Sequence, residues 1–211
     1  KAYIEPGFPR GTFEGEIDYS EFNFKFIRKD GSYTIARCDE QQLIGVIDGF
    51  KLTNVKLLYK ATPNTKTSQH WGSRIVFDRE GHIYFGVGDR GERDINPQDI
   101  TRDAGKIYRL NLDGTIPIDN PFVGLKNVKD AIFSFGHRNP QGMTVHPKTG
   151  EIWEHEHGPR GGDEINIIKG GLNYGWPKIT YGKDYLTYVG SNPLEKTTSL
   201  PGMEQPFYYW V

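Results

Sequence analysis

Short stretches of alternating apolar and polar residues run along the chain and are separated by glycine, aspartate, asparagine and proline. A period of two is typical of β-strands with one buried face, because successive side chains of a strand point to opposite faces. Turn residues at Arg79–Gly81 and at Asp113-Gly114 indicate tight connections between antiparallel strands. Strands are predicted at six places: Tyr33–Cys38, Val55–Ala61, Arg74–Asp78, His82–Val87, Gly105–Asn111 and Asp163–Ile168.

The pattern of strands repeats along the chain. The segment Gly142–Trp153 corresponds to Ser73–Tyr84, 69 positions earlier, and Asp163–Ile168 corresponds to Gly105–Leu110. Repeated four-stranded meanders are typical of the blades of a β-propeller. No helix of ordinary length is predicted, and only Lys126–Ile132 is left open.

The length of the chain limits how many blades it can contain. About three units of this spacing fit into 211 residues, whereas propellers close with roughly four to eight blades. Gln205–Val211 indicates a buried strand of a further unit, after a long polar loop at Tyr181–Pro201. We therefore expect a single, partial β-propeller domain over residues 1–211, an internal fragment of three to four blades. A small closed or dimeric β fold is the alternative.

Composition and charge exclude several classes of function. Lys and Arg number 26 and Asp and Glu 27, so a net charge of −1 offers no electrostatic attraction to nucleic acid or to an anionic membrane. No apolar run approaches the roughly 18 residues that a membrane span needs. The one cysteine, Cys38, excludes an internal disulfide and a thiolate metal cluster.

Four patches at strand ends concentrate the residues that could carry chemistry. In the first, His70 stands among small residues before a strand, where an imidazole could act as a base near neutral pH. In the second, the glycines on either side of Asp89 form a loop that could present this carboxylate inward. Taken alone, a turn histidine and a solvated hairpin loop explain these two patches more simply.

The third patch places Arg138 and Asn139 between glycine and proline. This pair is a fork of hydrogen-bond donors on a stiff backbone, and it suits a planar polycarboxylate or quinone ligand. A loop between blades, with its arginine paired to some carboxylate, is the alternative.

The fourth patch, Trp153–Asn166, is the densest in charge and glycine. On a strand, His155 and His157 share one face, and Glu154 and Glu156 share the other. A zinc site on the two histidines lacks a third histidine at a recognisable spacing. The glycines and the proline that follow imply an irregular loop with free carbonyls, and carbonyl and carboxylate oxygens suit calcium better than zinc.

At these patches the chain resembles the glucose/sorbosone dehydrogenase family, which includes soluble aldose dehydrogenases that use pyrroloquinoline quinone (PQQ). The resemblance covers about two thirds of the chain, from about residue 67 onward, and residues 1–50 are placed only by position, as the preceding blade. The matching motifs, in family order, are His70–Arg74, Gly88-Asp89, Gly105-Lys106, Asp119–Phe122, Gly136–Gly142, Glu156–Asn166, Asn173–Pro177 and Glu204–Pro206 with Tyr209-Trp210.

The resemblance implies a six-bladed β-propeller with PQQ and calcium near its axis. It also implies a quinoprotein oxidoreductase that oxidises aldose sugars at the anomeric carbon to lactones, with hydride passing to the quinone. His70 matches the general base, and Asp89 matches the carboxylate that supports it. The matches to cofactor contacts are Arg138, Asn139, His157 and Tyr185. The matches to calcium ligands are the carbonyl oxygens of Gly158 and Pro159 at the quinone and, at a second site, Glu164 and the carbonyl oxygen of Tyr174.

The resemblance extends to partners and location. It implies a sugar substrate, an electron acceptor and a periplasmic or secreted protein, and it leaves a homodimer open. Histidine at position 157, where the glucose-oxidising branch often has glutamine, favours the aldose branch. Further cofactor contacts are expected outside this chain, so the fragment alone is not expected to hold a full site. Two other classes remain: a non-catalytic calcium-binding propeller that binds a partner or a glycan, and a zinc hydrolase built on His155 and His157.

Overall fold

A computed structural model of the chain describes residues 25–29, 32–36, 41–48, 51–65, 67, 69–72, 74–185, 194 and 197–211. The chain divides into two compact units, Lys1–Ala61 and Thr62–Val211. The twelve strands found in the described ranges form three four-stranded antiparallel sheets, and none of the residues in these ranges is helical. The prediction of an all-β fold made of repeated meanders is therefore confirmed. No candidate membrane-spanning helix occurs in the part of the chain that the structure describes.

The first unit contains one sheet, in which the strands follow each other in chain order. Its strands are β1 (Lys25–Lys29), β2 (Ser32–Ala36), β3 (Gln41–Asp48) and β4 (Lys51–Lys60). The strand predicted at Tyr33–Cys38 overlaps β2 up to Ala36, and its last two residues lie outside the described residues. The strand predicted at Val55–Ala61 overlaps the last six residues of β4. The pairing of β3 with β4 shifts register twice, between Gln42 and Leu43 and between Ile44 and Val46.

The second unit begins with a sheet of order β5-β6-β7-β8. Its strands are β5 (Ile75–Phe77), β6 (Ile83–Val87), β7 (Lys106–Leu110) and β8 (Ile132–Phe135). Every residue of the two central strands is buried, as expected for strands covered on both faces. The stretch left open, Lys126–Ile132, forms turns that lead into β8.

The second sheet of this unit repeats the first, with the order β12-β11-β10-β9. Its strands are β9 (Pro140–Val145), β10 (Ile152–Glu156), β11 (Glu164–Ile168) and β12 (Tyr208–Tyr209). The predicted correspondence between the two repeats is confirmed, because β9, β10 and β11 take the places of β5, β6 and β7.

The prediction of a buried strand over Gln205–Val211 is wrong. Only Tyr208 and Tyr209 form a strand, and the side chains of Phe207, Tyr208 and Trp210 are about half exposed or more. The physical reason is the position of β12 at the edge of its sheet, where it pairs with β11 on one side only.

One apolar cluster joins the two sheets of the second unit. Tyr84 and Ile107 of the first sheet pack with Met143, Ile152 and Ile168 of the second. Face-to-face packing of successive four-stranded meanders is the packing of β-propeller blades, so the fold class predicted from the repeat is confirmed. The total of six blades and the single-domain organisation of residues 1–211 stay predictions.

The direction of the strands places four connections at one end of the second unit. Consecutive antiparallel strands alternate in direction. The segment that enters β5 and the loops β6–β7, β8–β9 and β10–β11 therefore lie at the same end. Backbone hydrogen bonds join these loops, from Asp89 N to Arg138 O at 2.7 Å and from His157 N to Asn139 O at 3.2 Å. All four candidate patches are thus gathered at one end of the two sheets.

A buried lysine ties the β6–β7 loop to its sheet. Lys106 is fully buried on β7, and its Nζ donates hydrogen bonds to the carbonyl oxygens of Asn96 and Ala104, both at 2.7 Å. Burial lowers the pKa of Lys106 to about 7, and the nearby carboxylates of Asp99 and Asp103 oppose this shift only in part.

We expect Lys106→Met to remove a pH dependence of stability. Between pH 7 and about 10 the unfolded chain binds the lysine proton and the folded chain does not, so the wild-type free energy of unfolding should rise with pH there. The variant should lack this rise and lose about 1–3 kcal/mol at the Ala104 carbonyl oxygen, whereas the Asn96 carbonyl oxygen still accepts the backbone N–H of Asp99. Its deficit in the free energy of unfolding should therefore grow from pH 6 to pH 10. Urea unfolding at several pH values measures this. Lys178→Met, at an exposed lysine, is the control, and parallel curves for Lys106→Met and wild type would contradict the expectation.

Candidate active site

A histidine and an aspartate from neighbouring loops form the centre of the site. Nδ1 of His70, on the segment before β5, lies 2.6 Å from Oδ1 of Asp89, which follows β6. The Asp89 side chain is only 1% exposed and that of His70 13%. His70 is not an ordinary surface histidine, because its side chain is largely buried beside Asp89. The loop after β6 presents the Asp89 carboxylate inward, as predicted. A fully exposed surface histidine and a solvated hairpin loop therefore do not describe these two patches, and the roles of His70 and Asp89 stay predictions.

The backbone around this pair is unusual. His70 has a φ of 56°, in the left-handed region that side chains other than glycine rarely adopt. A Cβ at Gly88 would overlap the carbonyl oxygen of His70. Only glycine therefore lets the end of β6 approach His70 this closely.

Hydrogen bonds hold the Asp89 carboxylate from both sides. In addition to His70, the backbone N–H of Gly91 donates to Oδ1 at 2.7 Å. The indole N–H of Trp176 donates to Oδ2, also at 2.7 Å. The Asp89 carbonyl oxygen accepts from Nδ2 of Asn96 at 2.9 Å. Both carboxylate oxygens and the backbone of this residue are thus fixed.

The β8–β9 loop is anchored by a second buried carboxylate, Glu156 of β10. Its Oε2 accepts the backbone N–H groups of Arg138 at 2.5 Å and Asn139 at 3.0 Å. Nη1 of Arg138 donates to the carbonyl oxygen of His157 at 2.9 Å, and the guanidinium carbon lies 5.3 Å from the ring centre of Trp176. Nε of Arg138 is buried without a hydrogen-bond partner among the described residues, so a donor remains for a ligand.

Carboxylates crowd beneath the β10–β11 loop. Glu154 and Glu156 are both buried, on the face of β10 opposite the exposed His155 and His157, as predicted from the alternation. Burial, followed by the charge of Glu156, raises the pKa of Glu154 well above its ordinary value. The same two causes raise the pKa of Glu164 to about 8. Keeping these neighbouring carboxylates ionised together therefore costs free energy.

The predicted metal ligands lie close to this charge. A cleft at this end of the sheets is lined by Arg138, Glu156, His157, Gly158, Glu164 and Tyr174, among others. A Cβ at Gly158 would overlap the carbonyl oxygens of Gly161 and Gly162, so backbone oxygens pack tightly in this loop. Oxygen ligands of this kind, next to uncompensated carboxylates, fit calcium. The groupings of metal-ligating side chains found in the described ranges include neither His155 nor His157, so the zinc alternative gains no support.

The structure brings most, but not all, of the predicted site residues together. His70 and Asp89 are in contact, and Arg138, His157, Gly158, Glu164 and Tyr174 line one cleft. Asn139 lies beside the cleft as the next residue of the β8–β9 loop. Pro159 packs against Gly182. Tyr185 is 36% exposed and follows Asp184, which pairs with Arg93 at 2.9 Å. The individual roles of these residues stay predictions.

Sequence reasoning missed two residues that organise the site. The sequence marks Trp176 only as part of the Asn173–Pro177 motif and gives no sign that its indole reaches Asp89, 87 positions earlier. The alternation along β10 predicts the buried face of Glu156 correctly, but it does not predict the hydrogen bonds of Glu156 to the β8–β9 loop. A buried carboxylate beside backbone N–H groups leaves no local sequence signal.

Comparison with known proteins identifies the family. The sequence model of the Glucose / Sorbosone dehydrogenase family matches residues 22–211. An aldose sugar dehydrogenase of Escherichia coli is 41% identical over 160 residues, which are 76% of this chain and 42% of that protein.

Two solved structures extend the comparison. The soluble aldose sugar dehydrogenase of E. coli in its apo-form has a TM-score of 0.76 at 38% identity, over 85% of this chain and 52% of that one. The PQQ-bound aldose sugar dehydrogenase of Streptomyces coelicolor has a TM-score of 0.64 at 28% identity, over 85% of this chain and 48% of that one.

The chain spans about half the length of these relatives. The match to the family model nevertheless extends over most of the chain. The sequence identity of 41% to the E. coli relative is well above the level at which proteins share only a fold. The chain belongs to the glucose/sorbosone dehydrogenase family.

Proposed function

We propose that this chain is part of a PQQ- and calcium-dependent enzyme that oxidises aldose sugars at the anomeric carbon to lactones. The observation that carries the proposal is the His70–Asp89 pair, 2.6 Å apart, at the end of the sheets where Arg138 also lies. Two relatives support it, since one is named an aldose sugar dehydrogenase and another was solved with PQQ bound.

His70 acts as the general base in this proposal. Because its Nδ1 faces Asp89 at 2.6 Å, the other ring nitrogen, Nε2, is free of this bond and can take the proton of the anomeric hydroxyl group. Asp89 fixes the orientation of the ring and stabilises the imidazolium that forms. PQQ, when bound, supplies the two-electron acceptor for the hydride that leaves the anomeric carbon.

The cofactor contacts in this proposal come from the β8–β9 and β10–β11 loops and from Tyr185. A polycarboxylate such as PQQ suits a guanidinium with a donor to spare, and Arg138 has its Nε buried without a partner among the described residues. Asn139 and His157 flank it, and a backbone hydrogen bond of 3.2 Å joins their loops.

Calcium is held by oxygen atoms in this proposal. The carbonyl oxygens of Gly158 and Pro159 form the site near the cofactor, and Glu164 with the carbonyl oxygen of Tyr174 forms a second site. The raised pKa of Glu164 supports the second site, because a divalent cation would relieve the crowding of carboxylates that causes the shift. The sugar, the electron acceptor, a homodimer and a periplasmic or secreted location stay predictions.

We expect His70→Ala to abolish turnover without weakening cofactor binding. The full-length protein, loaded with calcium and PQQ, is assayed for sugar oxidation with an artificial electron acceptor. Loss of the proton acceptor should lower kcat by about 10²–10⁴-fold, and a spectral titration with PQQ should be unchanged. The control is His155→Ala, at an exposed histidine of β10.

Three results would count against this function. Retained turnover in His70→Ala would remove His70 from the base role. A wild-type protein that binds PQQ but oxidises no sugar of a broad aldose panel would refute the proposed activity. Thermal stabilisation by calcium without any spectral change on adding PQQ would favour the non-catalytic propeller.

The calcium proposal predicts a reversal of relative stability at Glu164. The folded pKa of about 8 lies above the ordinary value of 4.5, so without metal the wild type loses stability as pH rises from about 4.5 through 8. In EDTA at pH 8.5, Glu164→Gln should therefore melt at or above the wild-type Tm. With calcium, Glu164→Gln should melt below the wild type, because calcium at 100 times its Kd stabilises the wild type by about 2.7 kcal/mol.

The control for this prediction is Glu151→Gln, at an exposed glutamate, which should respond to calcium as the wild type does. Scanning calorimetry with EDTA, magnesium or calcium measures all three proteins. The same Tm difference between Glu164→Gln and wild type in EDTA and in calcium would exclude Glu164 as a ligand.

A further inference from the structure

We propose that Trp176 is a positioning residue for the base: its indole N–H holds the Asp89 carboxylate that orients His70, and its ring supports the Arg138 guanidinium. The inference rests on the proposed function and assigns a role that the family resemblance did not supply. Trp176 acts through Asp89 and Arg138, and this role requires no contact between Trp176 and the substrate.

The first observation is the way in which donors divide over the Asp89 carboxylate. Oδ1 is shared by the His70 ring and the backbone N–H of Gly91, at 2.6 and 2.7 Å. Oδ2 accepts the indole N–H of Trp176 at 2.7 Å, in a fully buried bond. A carboxylate held at only one oxygen can rotate about its Cβ–Cγ bond. The indole bond at the second oxygen therefore fixes the plane of the group, and with it the direction of the His70 ring.

The second observation is that Trp176 is itself held by both loops that it serves. Its backbone N–H donates to the carbonyl oxygen of Gly136 at 2.9 Å, at the start of the loop that carries Arg138. Its carbonyl oxygen accepts Nε2 of Gln98 at 2.7 Å, from the loop that carries Asp89. Trp176 is buried, with only 6% of the residue's surface exposed. A rigid indole can fix the position of its partners, whereas a mobile one could not.

The third observation concerns the ring face. The guanidinium carbon of Arg138 lies 5.3 Å from the centre of the Trp176 ring, within the range of a cation–π contact. Asp89 N also donates to Arg138 O at 2.7 Å. The Asp89 carboxylate that orients the proposed base and the Arg138 guanidinium therefore share one support, the Trp176 side chain.

Two functions of one side chain can be separated by two substitutions. Trp176→Phe removes the N–H donor and keeps an aromatic face under Arg138, whereas Trp176→Leu removes both. Trp176→Phe should lower kcat about 10–100-fold, the usual effect of losing one buried hydrogen bond to a charged group. Its KM for sugar and its affinity for PQQ should stay within about twofold. Trp176→Leu should weaken PQQ binding as well.

Trp153→Phe is the matched control. The Trp153 indole N–H is buried without a hydrogen-bond partner in the described part of the chain. Trp153→Phe therefore makes the same change from indole to phenyl without removing a hydrogen bond, and kcat should not change. If Trp176→Phe fails to fold, 3-benzothienylalanine at position 176 replaces the N–H by sulfur at nearly constant shape. The same fall in kcat is expected for that protein.

The decisive measurement is a double variant in the full-length, PQQ- and calcium-loaded protein. Because Trp176 acts through His70, Trp176→Phe should have no further effect on the residual rate of His70→Ala. A wild-type kcat in Trp176→Phe, or a further fall in the double variant equal to that of the single one, would overturn the proposal and leave the proposed function intact. Absence of sugar oxidation by the wild type would refute the proposed function, and the positioning role with it.

Discussion

The Asp89 carboxylate is the point on which the arrangement of this end of the molecule depends. It is fully buried, and an ionised carboxylate can be removed from water only if donors replace the lost hydration. The donors come from three separate segments: His70 before β5, Gly91 on the β6–β7 loop and Trp176 after β11. None of these segments is regular secondary structure. The requirement to satisfy one charge therefore determines where each of them lies.

Glu156 imposes the same kind of constraint on the other side of the site. It accepts two consecutive backbone N–H groups, those of Arg138 and Asn139, and faces Nδ1 of the buried His137 at 3.3 Å. The His137 ring in turn stacks on Tyr174 at 4.7 Å. Two buried acids thus fix the loops that the sheets alone would leave free, at one end of the two sheets that the apolar cluster joins. The site can exist only where two neighbouring blades have packed.

Much of the fold could be predicted from the sequence, because the period of two and the turn residues are local signals. Strands β1, β3 and β8 are not predicted. For β8, a polar stretch of turns hides its beginning at Ile132. The error at Gln205–Val211 arose because apolar composition indicates burial but carries no information about an edge position. The site was predictable where glycine marks a close approach, as at Gly88 beside His70. It was not predictable where a contact joins residues 87 positions apart, as between Asp89 and Trp176.

The two buried acidic regions differ in how their charge is compensated, and this difference explains why we propose a metal at only one of them. Asp89 receives its donors from the protein itself, at both carboxylate oxygens. The pKa of Glu154 is raised by burial and by two further glutamates, and the amide of Asn166 opposes this shift. Oε1 of Glu154 and Oδ1 of Asn166 are buried without partners among the described residues.

Carboxylates that raise one another's pKa in this way reach a lower free energy either by taking up protons or by sharing a cation. A divalent cation compensates several of them at once and keeps them ionised at neutral pH. In the proposed function, one carboxylate whose donors come from the protein orients the base, and a cluster of carboxylates binds calcium.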